Sequence, residues 1–99
     1  MFDKSTAIPV VTISPDVCIN ETEDETILIN NATQKVMILN KSASMILDLL
    51  VKNPYKRDYT NIEELSELIK EKYNLDKNHN INEEVLDIVN MFFEEHIIC

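Results

Sequence analysis

The chain contains no glycine among its 99 residues, and this absence restricts where its backbone can turn. A positive φ angle is normally taken by glycine, and asparagine and aspartate are the other residues that tolerate it best. Asn31, Asn53 and Asn74 stand where the apolar pattern is interrupted, so we expect the chain to turn or to end a helix at these positions. The pattern between the interruptions is that of short strands followed by amphipathic helices.

Three short segments in the first 40 residues have the apolar, β-branched composition of strands. The predicted strands are residues 17–20, 26–30 and 34–39. An acidic turn at 21–25 joins the first two strands, and a tight turn at 31–33 joins the last two. Residues 1–13 contain Pro9, which cannot donate to a ladder, so this arm is predicted to be an edge strand or disordered.

The third strand leads directly into a helix predicted at residues 41–52, which Asn40 can cap. The apolar residues of this helix recur at helical spacing on one face, and they are Ala43, Ile46, Leu47 and Leu50. A second helix is predicted to begin at a capping box formed by Thr60 and Glu63 and to end at Tyr73-Asn74. The chain then has the order of three strands followed by helices.

A third helix is predicted at residues 81–95, with Asn80 as its cap. Its core stripe consists of Ile81, Val85, Ile88, Val89 and Phe92. Leu86, Phe93 and Ile97 lie to one side of the stripe, so the apolar arc covers about half the circumference, whereas packing on one core needs little more than about 100°. This extra lobe either packs under a strand or the N-terminal arm, or it forms the wall of a groove.

The charge and the reactive side chains exclude several classes of protein. A net charge of −9 repels nucleic acid and favours basic partners. No apolar run is long enough to span a bilayer and the N-terminus lacks the features of a signal peptide, so we expect a cytoplasmic protein without membrane contact. Cys18 is predicted to be a small buried thiol, and Cys99 has no partner for a metal site.

No residue pattern supports catalysis or a cofactor. His79 and His96 stand far apart and are predicted to be surface residues. The stretch from Asp76 to Asn80 resembles half of a calcium loop, but Ile81 occupies the position that needs glycine. The sequence therefore predicts a protein that is not an enzyme and that uses neither a metal nor a cofactor.

Four pieces of the sequence, in order, resemble the PqqD-like family of small winged-helix domains, over about residues 14–98. They are Ser14-Pro15-Asp16-Val17, the hairpin Thr26-Ile27-Leu28-Ile29-Asn30 with Lys35-Val36-Met37-Ile38-Leu39-Asn40, the helix start Thr60-Asn61-Ile62-Glu63-Glu64-Leu65, and the apolar ladder Glu84-Val85, Ile88-Val89, Phe92 and Ile97-Ile98. Two positions depart from the family. His96 stands where a glycine is common, and Met37 replaces an aromatic residue of the third strand.

The resemblance implies an α+β fold, a winged helix-turn-helix in which a three-stranded antiparallel sheet precedes three helices, at residues 14–99 after the arm at 1–13. It also implies a non-catalytic adaptor that recognises the leader of a ribosomally made, post-translationally modified peptide, as the stand-alone lasso peptide B1 proteins do. In the family the leader adds to the third strand as a further antiparallel strand and fills a groove beside the third helix. The implied partners are a precursor leader peptide and a maturation enzyme such as a leader peptidase, a cyclase or a radical enzyme.

We therefore predict a peptide-binding site on the third strand and the third helix. The predicted residues are Lys35, Val36, Met37 and Ile38 on the strand and Leu86, Val89, Asn90 and Phe93 on the helix, with Asp87 and Glu94 as possible charge contacts. Two alternatives from other classes stay open. One is a winged-helix DNA-binding regulator, and the other is a small acidic carrier domain, which would need a modified serine at Ser42 or Ser44.

Overall fold

The computed structural model describes residues 3, 5–51, 59–76, 78 and 80–98, and it folds these segments into a three-stranded antiparallel sheet followed by three helices. The strands are Val17–Glu21 (β1), Thr26–Asn30 (β2) and Lys35–Leu39 (β3), and the helices are Lys41–Val51 (α1), Ile62–Lys72 (α2) and Asn82–Glu94 (α3). The strands lie in the order β1-β2-β3. The predicted α+β fold class is confirmed, whereas the predictions for Asn53, His79 and Cys99 lie outside the described residues.

The sheet has an inner face on the core and an outer face toward solvent, because side chains alternate along each strand. Leu28 at the centre of β2 is buried and pairs with Met37 of β3 on the inner face. Ile29 is on the outer face beside Val36, and both are exposed. The strand register thus leaves an apolar strip open on the outer side of β2 and β3.

Cys18 lies on that outer face, so the prediction of a buried thiol is wrong. It pairs with Ile29 in the β1–β2 ladder, and it is exposed. The apolar run around Cys18 suggested burial, but only one face of β1 points inward, and Cys18 alternates with Val17 and Ile19. The Asn31 side chain donates to the Cys18 Sγ at 3.6 Å.

The helices bury most of the apolar stripes that their spacing predicts, although Ile88 of the α3 stripe is only partly buried. All four apolar residues of the α1 stripe are buried, and the buried residues of α2 include Ile62, Leu65 and Ile69. In α3, Val85, Val89 and Phe92 are buried, and Ile81 just before the helix joins the same core. The three helices and the inner face of the sheet share one hydrophobic core. Each fully buried apolar side chain stabilises the fold by about 1.5–3 kcal/mol, because it is removed from water.

Residues 8–14 run along the core rather than away from it. Ile8 and Val11 are buried, and the Ile8 N–H donates to the Thr60 carbonyl at 2.8 Å. Ile13 forms an isolated antiparallel bridge with Ile98, and the Ser14 N–H donates to the Ile97 carbonyl at 2.9 Å. This segment therefore joins the start of α2 to the chain that follows α3.

The second helix begins one residue later than its sequence motif predicts. Its cap is Asn61, whose side chain accepts from the Glu64 N–H at 3.0 Å, rather than Thr60. The Glu64 carboxylate accepts in turn from the Thr60 N–H at 2.8 Å. Thr60 and Asn61 are adjacent, and either side chain could cap the helix. Asn61 and Glu64 together accept hydrogen bonds from backbone N–H groups at the helix start, as the two residues of a capping box do.

Because the chain has no glycine, its positive φ angles fall on other residues. Among the described residues these are Gln34 at 59°, Asn74 at 54° and His96 at 56°. The prediction for Asn74 is confirmed, because it follows the last residues of α2. Asn31 lies in the turn between β2 and β3, as predicted, but it does not take a positive φ angle. The Asn31 N–H donates to the Asp16 carbonyl at 2.8 Å, and the positive angle falls instead on Gln34, the last residue before β3.

His96 ends α3 in the conformation that glycine usually takes at this position. The Ile97 N–H donates to the Phe92 carbonyl at 2.9 Å, and the His96 N–H donates to the Phe93 carbonyl at 3.2 Å. These two bonds, with the contact between two buried apolar residues at positions 92 and 97, form a Schellman motif. The helix end is therefore preserved without glycine, at the cost of a left-handed residue that carries a Cβ.

A His96→Gly variant is expected to raise the free energy of unfolding by about 0.5–1 kcal/mol, because glycine removes the Cβ clash of the left-handed conformation. Denaturant titration followed by circular dichroism measures this change. His96→Ala keeps the Cβ and should change stability by no more than a few tenths of a kcal/mol. An equal gain from both variants would assign the effect to the imidazole and not to the backbone.

Candidate functional site

The outer edge of β3 is open among the residues that the structure describes. Within the described segments, β3 pairs with β2 on one side and with no strand on the other. Val36 is 65% exposed and Ile38 is 62% exposed on this strand. An unpaired edge presents backbone N–H and C=O groups that a further extended chain can use, so β3 is a template for strand addition.

The end of α3 lies beside the β2–β3 turn, where one buried side chain ties them together. Asn30 is 2% exposed, and its amide donates to the Glu95 carbonyl at 3.2 Å and to the His96 carbonyl at 3.5 Å. Its oxygen accepts from the Ala32 and Thr33 N–H groups at 3.0 and 3.2 Å. A single asparagine therefore fixes both the shape of the turn and its distance from α3.

A surface ion pair shows which side of α3 is turned toward β3. The Lys35 Nζ lies 3.1 Å from the Glu95 Oε2, with side-chain exposures of 63% and 32%. A pair this exposed stabilises the fold by no more than about 1 kcal/mol. Its use here is that it shows the orientation of α3 relative to β3. At about 100° per residue, Met91, Ile88 and Glu84 lie on the same side of the helix as Glu95.

A cavity between the helices independently supports this orientation. It has a volume of about 220 Å³ and lies between α1, α2 and the start of α3. Its lining residues are Ser42, Met45, Ile46, Ile69, Leu75, Ile81, Glu84, Val85 and Ile88. Ser42 of its lining follows the end of β3 by three residues, whereas the Lys35–Glu95 pair is at the start of β3. The same side of α3 thus faces β3 at one end and the start of α1 at the other.

We use the name β3–α3 groove for the surface between the open edge of β3 and the Glu95 side of α3. We assign to it three half-buried apolar residues, Met37 of β3 and Ile88 and Met91 of α3. The Lys35–Glu95 pair closes one end of the groove, and the cavity beside Glu84 forms the other. Met37 is on the inner face of β3, where it pairs with Leu28. Methionine is flexible and polarizable, and a surface with two methionines can adapt to side chains of different shapes.

The structure brings only part of the predicted site to this groove. The four strand residues, Lys35, Val36, Met37 and Ile38, lie on the open edge as a set. Asp87 is exposed and about 40° around the helix from Met91, on the outer rim. Glu94 is exposed and about 60° from Met91, farther from β3.

The apolar helix residues of the predicted site lie elsewhere. Val89 is 0% exposed and belongs to the core. Leu86, Asn90 and Phe93 are half-buried, but they lie about 140–180° around α3 from Glu95, on the flank away from β3. The helix wheel recognises an apolar lobe on α3 but cannot tell which flank of the core stripe meets the strand.

The predicted site residues do not include Ile88 and Met91, which we assign to the groove, or Glu84, which lines the cavity. Ile88 was assigned to the core stripe, and Met91 follows it on the same flank. The sequence does contain a signal for this flank. Ile88 and Met91 are apolar and three positions apart, so they widen the apolar arc of α3 on one flank as Leu86 and Phe93 widen it on the opposite flank. Only the contact between β3 and the end of α3 decides between the flanks.

The charges of the helix beside the groove all have one sign. Its charged residues are Glu83, Glu84, Asp87 and Glu94, followed by Glu95. Glu95 is paired with Lys35, whereas Glu84 makes no hydrogen bond or ion pair with any described residue. The groove therefore combines an apolar floor with a negative rim.

Neither a metal site nor a membrane helix is found in the described parts of the chain. No group of three or more histidine, cysteine, aspartate or glutamate residues there is arranged to hold a metal ion. None of the helices formed by those residues is both long enough and apolar enough to cross a bilayer.

Comparison with known proteins gives a match among solved structures. No family model matches the chain, and no curated protein matches it. Among solved structures, TbiB1 in complex with the TbiA(beta) leader peptide is similar, with a TM-score of 0.65 and 23% sequence identity. The similarity covers 88% of this chain and 93% of that chain, so the two proteins share their fold over nearly the whole of both.

Proposed function

We propose that this chain is a non-catalytic adaptor that binds the leader of a ribosomally made, post-translationally modified peptide and presents it to a maturation enzyme. The observation that carries the proposal is the open edge of β3 beside an apolar groove. The shared fold supports it, since TbiB1 was solved in complex with a leader peptide. The lasso peptide class enters this proposal through the resemblance of the sequence to the stand-alone B1 proteins.

The leader binds as a fourth strand, antiparallel to β3. Its backbone bonds to the unpaired groups of β3, and every second side chain points into the β3–α3 groove toward Met37, Ile88 and Met91. The intervening side chains point outward beside Val36 and Ile38. Backbone pairing thus supplies affinity for many leaders, and the groove selects those with apolar residues at alternate positions.

The expected affinity is moderate. Each buried apolar side chain contributes about 1.5–3 kcal/mol, and each backbone bond contributes about 0.5–1.5 kcal/mol net. Ordering a flexible leader costs about 2–5 kcal/mol, so a segment as short as β3 is expected to bind with roughly micromolar affinity. An adaptor needs to hold its peptide only long enough for the partner enzyme to act.

Hydrogen exchange of the backbone amides tests strand addition directly. The precursor peptide encoded beside the gene supplies the leader, and a scrambled leader of equal charge is the control. Alternate amides within Lys35–Leu39 are expected to slow at least about tenfold with the leader, because an antiparallel partner pairs with every second residue. Unchanged exchange in β3 at a saturating leader concentration would refute the proposal.

The DNA-binding alternative gains no support from the helices. α3 contains no lysine or arginine, and α2 begins with Glu63 and Glu64. The Lys70 side chain of α2 is buried and lies 3.4 Å from the Glu67 carboxylate. A helix that enters the major groove needs cations for the phosphates, and these helices would repel them.

A further inference from the structure

The cavity at the α1 end of the groove extends the surface beyond β3. Its walls are mainly apolar and include Met45 of α1, Leu75 after α2, and Ile88 of α3. Ser42 and Glu84 are the polar residues of its lining. Its volume of about 220 Å³ exceeds that of an apolar cavity of about 150 Å³ that admits benzene, so it has room for one large apolar side chain.

The direction of a bound strand determines which part of a leader reaches this cavity. β3 runs from Lys35 toward Leu39, and α1 with Ser42 follows at once. A strand antiparallel to β3 runs the opposite way, so its N-terminal end lies at Leu39. Residues that precede the paired segment then continue over the start of α1, at about 3.3 Å per residue.

The charge around the cavity restricts the occupant further. Glu84 is exposed on its rim and lacks a partner among the described residues, and the neighbouring charges on α3 are acidic too. An acidic peptide would be repelled at this position, and a lysine or arginine would find an unpaired carboxylate at the edge of an apolar surface, where charge pairing is stronger than in water.

We propose that the cavity is a specificity pocket for the leader segment N-terminal to the added strand. It takes one large apolar side chain, and Glu84 pairs with a lysine or arginine next to that side chain. This inference rests on the proposed function and defines the class of leader that the protein selects. An acidic leader, or one without an apolar residue upstream of the paired strand, is excluded.

A pair of charge reversals in the first turn of α3 tests the role of Glu84. Glu84→Lys is expected to weaken binding of the leader encoded beside the gene at least tenfold. Glu83→Lys makes the same change in net charge and in the helix dipole, but Glu83 points about 100° farther around the helix, and this variant should change affinity less than about twofold. Fluorescence anisotropy with a labelled leader measures both.

A compensating leader gives the second readout. Replacing the upstream lysine or arginine of the leader by glutamate should weaken binding to the wild-type protein and restore binding to Glu84→Lys. The apolar contact is tested in the same way. Replacing the large apolar side chain of the upstream leader segment by alanine should weaken binding to the wild-type protein but not to Met45→Ala, because both changes remove the same contact.

The outcomes separate this inference from the proposed function. Two outcomes would overturn the specificity pocket while leaving the proposed adaptor function supported. One is that the leader binds the wild-type protein and that Glu83→Lys and Glu84→Lys weaken binding equally. The other is that a leader without an upstream lysine or arginine binds as well. No binding of the leader to the wild-type protein would overturn both. Loss in Glu84→Lys alone, with rescue by the reversed leader, is the result that the inference requires.

Discussion

A Met91→Glu variant is expected to bind the leader at least about 100-fold more weakly than the wild-type protein. Met91 lies in the middle of the α3 side of the groove, half-buried and on the same side as Glu95. A bound strand would cover this position, and an uncompensated carboxylate under an apolar peptide costs several kcal/mol. The acidic residues nearby on α3 would add repulsion and offer no partner.

Leu86→Glu is the matched control for this prediction. Leu86 is half-buried on the same helix and receives the same charge, but it lies about 140° around α3 from Met91. The affinity of the Leu86→Glu variant for the leader should stay within about threefold of the wild-type value. Circular dichroism checks that both variants are folded. Equal losses in the two variants would mean that the leader does not distinguish the two flanks of α3.

Phe93→Ala separates the two flanks by truncation instead of charge. If Phe93 belonged to the groove, as the helix wheel predicted, this change would weaken leader binding without loss of helix. The contacts of α3 place Phe93 on the flank away from β3, so we expect lower stability with unchanged affinity in the folded protein. Thermal unfolding and anisotropy on the same sample read the two effects separately.

The sequence predicted the secondary structure well where a short-range pattern determines it. β2 was predicted with its observed bounds, and α1 begins at the predicted residue and buries the predicted stripe. Alternation in a strand and spacing in a helix are local properties, and the buried face follows from them. The turn between β2 and β3 shows where local preference stops: Asn31 tolerates a positive φ better than Gln34, but the loop geometry puts that angle on Gln34.

The candidate site remains a prediction, and the sequence defines its strand side more sharply than its helix side. The edge strand follows from chain order, because β3 is the last strand before the helices and pairs on one side. The helix side depends on how α3 is rotated about its own axis, and apolar residues flank its core stripe on both sides. That rotation is shown by contacts between residues 60 or more positions apart, Lys35 with Glu95 and Asn30 with the Glu95 carbonyl. No local pattern in the sequence reports such contacts.

Asn30→Ala is expected to lower the free energy of unfolding by about 2–4 kcal/mol, because it removes the partners of buried backbone groups at two places. The Ala32 and Thr33 N–H groups lose their acceptor in the turn, and the Glu95 carbonyl loses its donor at the end of α3. Asn31→Ala is the control, since Asn31 is exposed and its side chain contacts the Cys18 sulfur at 3.6 Å. Denaturant unfolding should show a change within about 0.5 kcal/mol for that variant.

The same substitution connects stability to binding. Asn30 holds the β2–β3 turn against the end of α3, so its loss frees the two walls of the β3–α3 groove to move apart. We therefore expect Asn30→Ala to bind the leader at least tenfold more weakly at a temperature where the protein is still folded. Asn30→Asp retains the acceptor for the turn but replaces the donor to α3 with a carboxylate that faces carbonyl oxygens. If the groove depends on the tie to α3, the aspartate variant will lose affinity as the alanine variant does, whereas full affinity in Asn30→Asp would assign the effect to the turn alone.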